Sequence, residues 1–266
     1  MGGDGVVLGI ESAKMLLHGP EIILGRKLAI GDVHGCLKSL KLLLETISPE
    51  ADDKVIMLGD YVDRGPDSKG VIDYLMNWPW EAELILLKGN HEIIMAEAGF
   101  SNDHLTYWCN VGGLETLASY DAKFANIPES HWEFINDALP YYETKKVIYV
   151  HGGVSRKKPL EEQDPVDLAW RRFPDARKHR SGKLVVCGHT IQRKGVPSDA
   201  GHTVCLDTAA CRGGWLTCFE AKTRCYWQAN EKGKTRERVL KPRKKSKKLQ
   251  KLQGSKPAKT SSAPES

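Results

Sequence analysis

No uninterrupted apolar stretch of this sequence approaches the roughly 20 residues that a membrane-crossing helix needs, so a membrane span is excluded. Its cysteines, at positions 36, 109, 187, 205, 211, 218 and 225, include no Cys-x-x-Cys pair, and their number is odd. Neither a disulfide framework nor a tetrahedral zinc knuckle is indicated, and reduced, intracellular thiols fit best. Polar low-complexity sequence is missing before residue 231, which excludes wholesale disorder. Asp4, Glu11, Lys14, His18 and Glu21 interrupt the apolar stretches of the first 25 residues, so no export signal is visible and a cytoplasmic location is expected.

What is present, 266 residues of which 41% are hydrophobic and 27% charged, suits one large folded domain or two small ones. The formal charge of +5 is unevenly placed: residues 231–266 hold 13 Lys or Arg against 3 acidic residues, which leaves the preceding part mildly acidic. The run from Lys232 to Lys259, centred on Lys241-Pro242-Arg243-Lys244-Lys245-Ser246-Lys247-Lys248, lacks the apolar residues to build a core. It reads as a basic, disordered tail compatible with nucleic acid, acidic lipid or an acidic partner, without a fold that would give sequence specificity.

Five short apolar runs stop at the same kind of residue. Leu28-Ala29-Ile30 closes on Gly31-Asp32-Val33-His34-Gly35, and Val55-Ile56-Met57-Leu58 on Gly59-Asp60-Tyr61-Val62-Asp63-Arg64-Gly65. Leu84-Ile85-Leu86-Leu87 closes on Lys88-Gly89-Asn90-His91-Glu92, Val147-Ile148-Tyr149-Val150 on His151-Gly152-Gly153, and Leu184-Val185-Val186-Cys187 on Gly188-His189-Thr190. Continuous runs of this length, rich in Val, Ile and Leu, predict strands buried on both faces. Helices over Leu37 to Thr46, Asp67 to Asn77, with Ser68 as its cap, and His91 to Ala98 would alternate with them as βαβ units that cover the strands. Ligands of such sheets collect outside the carboxyl ends of the strands, which gathers all five polar clusters at one rim.

Any one of these motifs is as readily an ordinary turn; five independent strand ends that all carry ligand residues point to a common site. Asp32, His34, Asp60, Asn90, His151 and His189 form a mixed nitrogen and oxygen donor set without sulfur, which suits Mn²⁺, Fe or Zn²⁺. Six ligands exceed one tetrahedral site and, with a shared carboxylate, fit two divalent ions about 4 Å apart. Two such ions, less two carboxylates and one hydroxide, leave a net charge of about +1, suited to an anionic substrate.

These motifs, in this order and spacing, resemble those of the metallophosphoesterase superfamily. The resemblance is to its phosphoprotein phosphatase type, shared by bacterial and phage serine/threonine phosphatases and symmetrical diadenosine tetraphosphatases. It runs from residue 27 to about 220 and takes in Leu206-Asp207-Thr208-Ala209-Ala210 and Gly213-Gly214-Trp215-Leu216-Thr217. It implies an α/β fold, a calcineurin-like β-sandwich of mixed sheets flanked by helices, with a helical cap. The chain then divides into an N-terminal extension (1–25), a metallophosphoesterase domain (26–230, cap about 100–140) and the basic tail (231–266). Within the cap, Thr106 to Ala118, broken at Asn110-Val111-Gly112-Gly113, and Ser130 to Leu139 are the expected helices, with most of their aromatics in the cap core.

By the same resemblance, Asp32, His34 and Asp60 would hold one ion and Asp60, Asn90, His151 and His189 the other, with Asp60 bridging. Asp63 would orient His91 as general acid, and Arg64 and Arg172 would grip phosphoryl oxygens; Arg171 is the competing guanidinium beside Arg172. The implied cofactors are two divalent metal ions, Mn²⁺ first, with Fe or Zn as alternatives. The implied activity is a serine/threonine protein phosphatase acting on a phosphoprotein or phosphopeptide by direct hydrolysis. A symmetrical bis(5'-nucleosyl)-tetraphosphatase, an RNA 5'-end phosphatase and a nucleic-acid-binding scaffold with a vestigial phosphatase fold are the alternatives. Glu92 and Cys36 stay outside the catalytic set, the first as a support or helix cap and the second as a small buried hydrophobe.

Overall fold

A computed structural model describes residues 25–173 and 178–242. The extension expected over 1–25 and the basic run from residue 243 onward therefore lie, apart from Gly25, outside the described residues. Two mixed sheets make up the framework. In the first, β1 (Lys27–Ile30), β2 (Lys54–Met57) and β3 (Glu83–Leu86) run parallel. The antiparallel strands β9 (Leu216–Glu220), β10 (Cys225–Ala229) and β11 (Thr235–Val239) continue that sheet beyond β1. The second sheet orders β4 (Tyr141–Glu143), β5 (Val147–Val150), β6 (Leu184–Cys187), β8 (Thr203–Cys205) and β7 (Ser198–Asp199), with β5, β6 and β8 parallel. The five predicted runs are thus β1, β2, β3, β5 and β6.

Period-2 alternation divides each run between two cores. Leu28 and Ile30 pack with Leu40, Leu43 and Leu44 of α1 (Leu37–Ile47) and with Val71 and Ile72 of α2 (Ser68–Met76). Ala29 between them joins Tyr149, Val186 and Val204 of the other sheet. The continuous runs are explained by this: one face of each sheet is covered by helices and the other by the opposing sheet, rather than both faces by helices. On the outer side of the second sheet, Ile148, Val150 and Val185 meet Leu168 of α7 (Pro165–Trp170). Among the described residues no helix is long and apolar enough to cross a membrane.

Two expectations change, the cap residue of α2 and the reach of the tail. The cap of α2 is Asp67, whose side chain accepts the Gly70 N–H at 2.8 Å; Ser68 instead offers its hydroxyl to the Asp63 N–H at 3.0 Å. The helical segment expected as a cap is present beside the rim, with Tyr107 and Val111 at the cleft, and it shares its core with the sheet below, since Trp108, Tyr120 and Ile135 join one cluster with Leu40 and Met57. It comprises α4 (Asn102–Trp108), α5 (Leu114–Ser119) and α6 (Glu129–Asp137), after α3 (Asn90–Glu97). Part of the segment expected as a tail from residue 231 is paired, because Thr235–Val239 forms β11 against β10, with Val239 opposite Cys225. Charged residues are ordinary on an edge strand, so the lack of apolar side chains did not exclude pairing there.

The predicted break at Asn110–Gly113 falls at a wider turn where Gly112 leaves the helix with φ 127°. Its carbonyl accepts the Arg64 N–H at 3.0 Å, and a Cβ on Gly112 would lie 2.6 Å from Arg64 Cγ. Substituting Gly112→Ala adds both the backbone penalty and that overlap. It is expected to destabilise the fold by about 1–3 kcal/mol, read as a lower urea midpoint at unchanged slope. An unshifted midpoint would show that the Arg64 loop has room to move.

Candidate metal centre

The rim holds an unusual amount of strained backbone. His34, Asp60, Asp63, Arg64 and His189 all have positive φ, between 45° and 72°. For residues other than glycine this conformation costs about 1–2 kcal/mol each, and it persists only where surroundings enforce it. The enforcement here is a lattice of backbone bonds: Val33 N–H and His34 N–H both donate to the Asp60 carbonyl, at 3.0 and 2.8 Å. Buried Glu92 accepts the N–H groups of Asp60, Tyr61 and Gly89 at 2.8–2.9 Å, tying the loop after β2 to the start of α3. Sequence reasoning left Glu92 as a support, and that is its position. Burial first, then the charge of Asp60, raises its pKa to about 7. Gly89 and Gly188 leave room for carboxylates, since a Cβ at either would lie 2.2 Å from Asp60 Oδ1 or 2.1 Å from Asp32 Oδ1.

The six predicted ligands come from five strand ends and meet. His34 Nε2 lies 3.4 Å from Asp60 Oδ2, and His151 Nε2 lies 3.3 Å from Asp60 Oδ1. Asn90 Oδ1 is 3.0 Å from His151 Nε2 and 2.7 Å from His189 Nδ1. Asp32 accepts the His189 N–H on both oxygens, at 3.1 and 3.0 Å. Two clusters share Asp60: His34, Asp60 and His91, and Asp60, His151 and His189.

The donor atoms fit a pair of divalent cations. His34 Nδ1 donates to the Val62 carbonyl at 2.8 Å and His151 Nδ1 to the Leu58 carbonyl at 2.9 Å. That fixes the tautomer in which each Nε2 presents a lone pair toward Asp60, an arrangement typical of metal-ligating imidazoles. His189 Nε2 is buried without a hydrogen-bond partner. Lone pairs of His151 Nε2 and Asp60 Oδ1 face each other at 3.3 Å, which only a proton or a cation can reconcile. Without cations a proton does so: although burial opposes its charge, Asp60, Asp32 and Glu92 together raise the pKa of His151 to about 10. Burial instead lowers His34 to about 3, because Arg64 and His91 beside it add to the effect against Asp60. His189 falls to about 4 by burial and the nearby charge of His151. Bound cations would displace that proton. Sulfur takes no part: the Cys205 thiol donates to the Gly188 and Thr190 carbonyls.

Beside the clusters, His91 Nδ1 lies 2.6 Å from Asp63 Oδ2, while the other oxygen of Asp63 accepts from Trp108 Nε1 at 2.9 Å and Thr116 Oγ1 at 2.8 Å. The helical segment therefore locks the carboxylate that holds His91. Arg64 reaches His34 Nε2 with Nη1 at 2.8 Å. Arg172 lines the cleft over the metal clusters; Arg171 does not, its stem passing over Gly153 and its Nη2 lying 3.8 Å from Asp167.

Two cleft residues were not identified from sequence, and Asp207, beside the site, was given no role beyond the motif Leu206-Asp207-Thr208. Arg193 and Arg212 line the same space of about 330 Å³ as Arg64 and Arg172, with half-exposed Tyr107 at the side. Both look like surface arginines in the sequence, and only the fold brings them in. Buried Asp207 follows β8 directly, and its charge adds to burial in raising the pKa of Asp32 well above the carboxylate range. An apolar run before it was its only signal, without the adjoining glycine of the five motifs.

The sequence profile of the calcineurin-like phosphoesterase family matches residues 25–214. A symmetrical bis(5'-nucleosyl)-tetraphosphatase of Buchnera aphidicola is 31% identical over 133 residues, 47% of this chain and 43% of the relative. The chain thus spans less than half the length of that relative. Serine/threonine-protein phosphatase 1 of Salmonella typhimurium is 29% identical over 199 residues, 71% of this chain and 88% of its own. Among solved structures, a cold-active protein-tyrosine phosphatase of a psychrophilic Shewanella shares the fold with a TM-score of 0.52 at 17% identity, covering 80% of each chain. With the profile match spanning most of the chain, two mixed sheets flanked by helices and paired His/Asp clusters at one rim, this chain belongs to the calcineurin-like phosphoesterase family and carries a candidate dinuclear metal site.

Proposed function

We propose that the chain hydrolyses phosphoanhydride bonds of dinucleoside polyphosphates, in the manner of a symmetrical bis(5'-nucleosyl)-tetraphosphatase. The observation that carries this reading is the grouping of Arg64, Arg172, Arg193 and Arg212 around one cleft. A phosphomonoester presents one dianionic group, which two cations and one or two arginines suffice to neutralise. A bridging tetraphosphate carries about four negative charges along a chain, and planar guanidinium forks spaced along a cleft match such a chain. The name of the Buchnera relative supports the same reading.

Asp32, His34 and Asp60 would hold one cation and Asp60, Asn90, His151 and His189 the other, with Mn²⁺ proposed first and Fe or Zn as alternatives. When bound, the pair would supply Lewis acidity and an activated water. The chain's own groups do the rest. Arg64 and Arg172 neutralise oxygens of the phosphoryl group under attack, and Arg193 and Arg212 hold the phosphates beyond it. His91, oriented through Nδ1 by Asp63, gives a proton to the leaving oxygen.

The expectation from sequence, a phosphoserine or phosphothreonine phosphatase, stands as the second reading, favoured by the long match to the Salmonella enzyme. Support for an RNA 5'-end phosphatase or a vestigial scaffold came from the basic tail, most of which is outside the described residues. Turnover of diadenosine tetraphosphate and of phosphoserine and phosphothreonine peptides by metal-reconstituted protein separates the two. The expected result is a kcat/KM at least about ten-fold higher on the dinucleotide, with ADP as sole product. A preference for the peptides would transfer the assignment to protein dephosphorylation.

A further inference from the structure

Arg193 occupies a tight turn whose two ends are both tied to the fold. The Gly195 N–H closes the turn onto the Gln192 carbonyl at 2.9 Å, and the Gln192 N–H donates to the Asp207 carbonyl at 2.7 Å. At the other end the Gly195 carbonyl accepts from Arg236 Nη2 at 2.6 Å and from Gln228 Nε2 at 3.2 Å. Arg236 belongs to β11, outside the residues that match the family. Its guanidinium lies 4.1 Å from the ring centroid of Trp215, and its Nε donates to Gln228 Oε1 at 2.7 Å. The one fork thus grips a strand amide, an indole face and the Arg193 turn together, which a lysine ammonium cannot do.

Resting on the polyphosphate reading, we propose that Arg236 is a positioning residue that holds the turn carrying Arg193 into the cleft, so that the last strand helps to recognise the phosphates remote from the metal centre. Its loss leaves the Gly195 carbonyl only the longer bond from Gln228 Nε2 and lets the turn sample conformations in which Arg193 no longer faces the cleft. The penalty then falls on binding of the long anion rather than on chemistry at the metals.

A double-mutant cycle in the full, metal-reconstituted chain tests this, with kcat and KM measured on diadenosine tetraphosphate and on p-nitrophenyl phosphate. Arg193→Ala is expected to raise KM for the dinucleotide about ten-fold and Arg236→Gln about five-fold, in both cases well beyond any rise for the monoester. Arg236→Lys should fall between Arg236→Gln and the natural chain. The double variant should be no worse than Arg193→Ala alone, since both changes remove one interaction. Additive losses, or equal losses on both substrates, would overturn the role of Arg236. Should Arg236→Gln fail to yield folded protein, the cycle with Arg236→Lys decides. Natural protein that cleaves the monoester but leaves the dinucleotide intact would instead reject the polyphosphate reading itself.

Discussion

Asp60→Asn is expected to lower phosphohydrolase turnover by about three orders of magnitude or more, and to leave both cation sites depleted when the purified protein is analysed for metals. The side chain stands between the two clusters, 3.4 Å from His34 Nε2 on one oxygen and 3.3 Å from His151 Nε2 on the other. An amide keeps the shape but removes the charge, and its nitrogen cannot serve as a ligand, so one cluster loses its donor outright and the other loses an anion. A second consequence separates this account from simple unfolding. In the metal-free chain Asp60 is a buried carboxylate held well below its usual pKa by the surrounding histidines, against the cost of burial. Since the pairing outweighs that cost, replacing it should lower the Tm of the metal-free variant below that of the metal-free natural protein while leaving a cooperative transition. The large rise in Tm on adding Mn²⁺, expected for the natural chain because cations bind only the folded state, should vanish in the variant. Unchanged metal stoichiometry would rule out Asp60 as the shared ligand.

How much of this was legible in the sequence follows from where each interaction lives. The strands and the six donors could be read because each donor sits directly after an apolar run, so local pattern and site coincide. Glu92 could be read only as a support, because its three accepted N–H groups come partly from a loop about thirty positions earlier. Arg193 and Arg212 carry no local mark of function; they are cleft residues because β6, β8 and β9 set their loops beside the metal clusters. β11 was hidden for a different reason. Its pairing rests on backbone hydrogen bonds, a turn in which Asn230 accepts the N–H groups of Lys232 and Lys234, and the stacking of Arg236 on Trp215. None of these is an apolar period, so a reading weighted by hydrophobicity and net charge passes over it.

His91→Asn should discriminate between substrates, which makes it informative about mechanism and function together. His91 is buried with Nδ1 at 2.6 Å from Asp63, whose other oxygen is already held by Trp108 and Thr116. A carboxylate so fixed has one remaining task, to orient the imidazole through Nδ1. General acid catalysis contributes about 10²–10⁴-fold, in proportion to how badly the leaving group needs a proton. The alkoxide of serine is strongly basic and should lose activity by about three orders of magnitude. The leaving group of diadenosine tetraphosphate is a nucleoside diphosphate, whose terminal phosphate is a far weaker base with a pKa near about 6, so the loss there should be nearer ten-fold. p-Nitrophenyl phosphate, with a leaving group that is also weakly basic, should behave like the dinucleotide. Metal content should stay unchanged, and this matters because His91 also lies within the cluster of His34 and Asp60. A variant that loses one cation and falls equally on all three substrates would make His91 a ligand instead of an acid. Asp63→Asn, which keeps the shape but not the charge, should reproduce part of the leaving-group dependence if Asp63 acts through the orientation of His91, and should lower turnover of all three substrates equally if it does not.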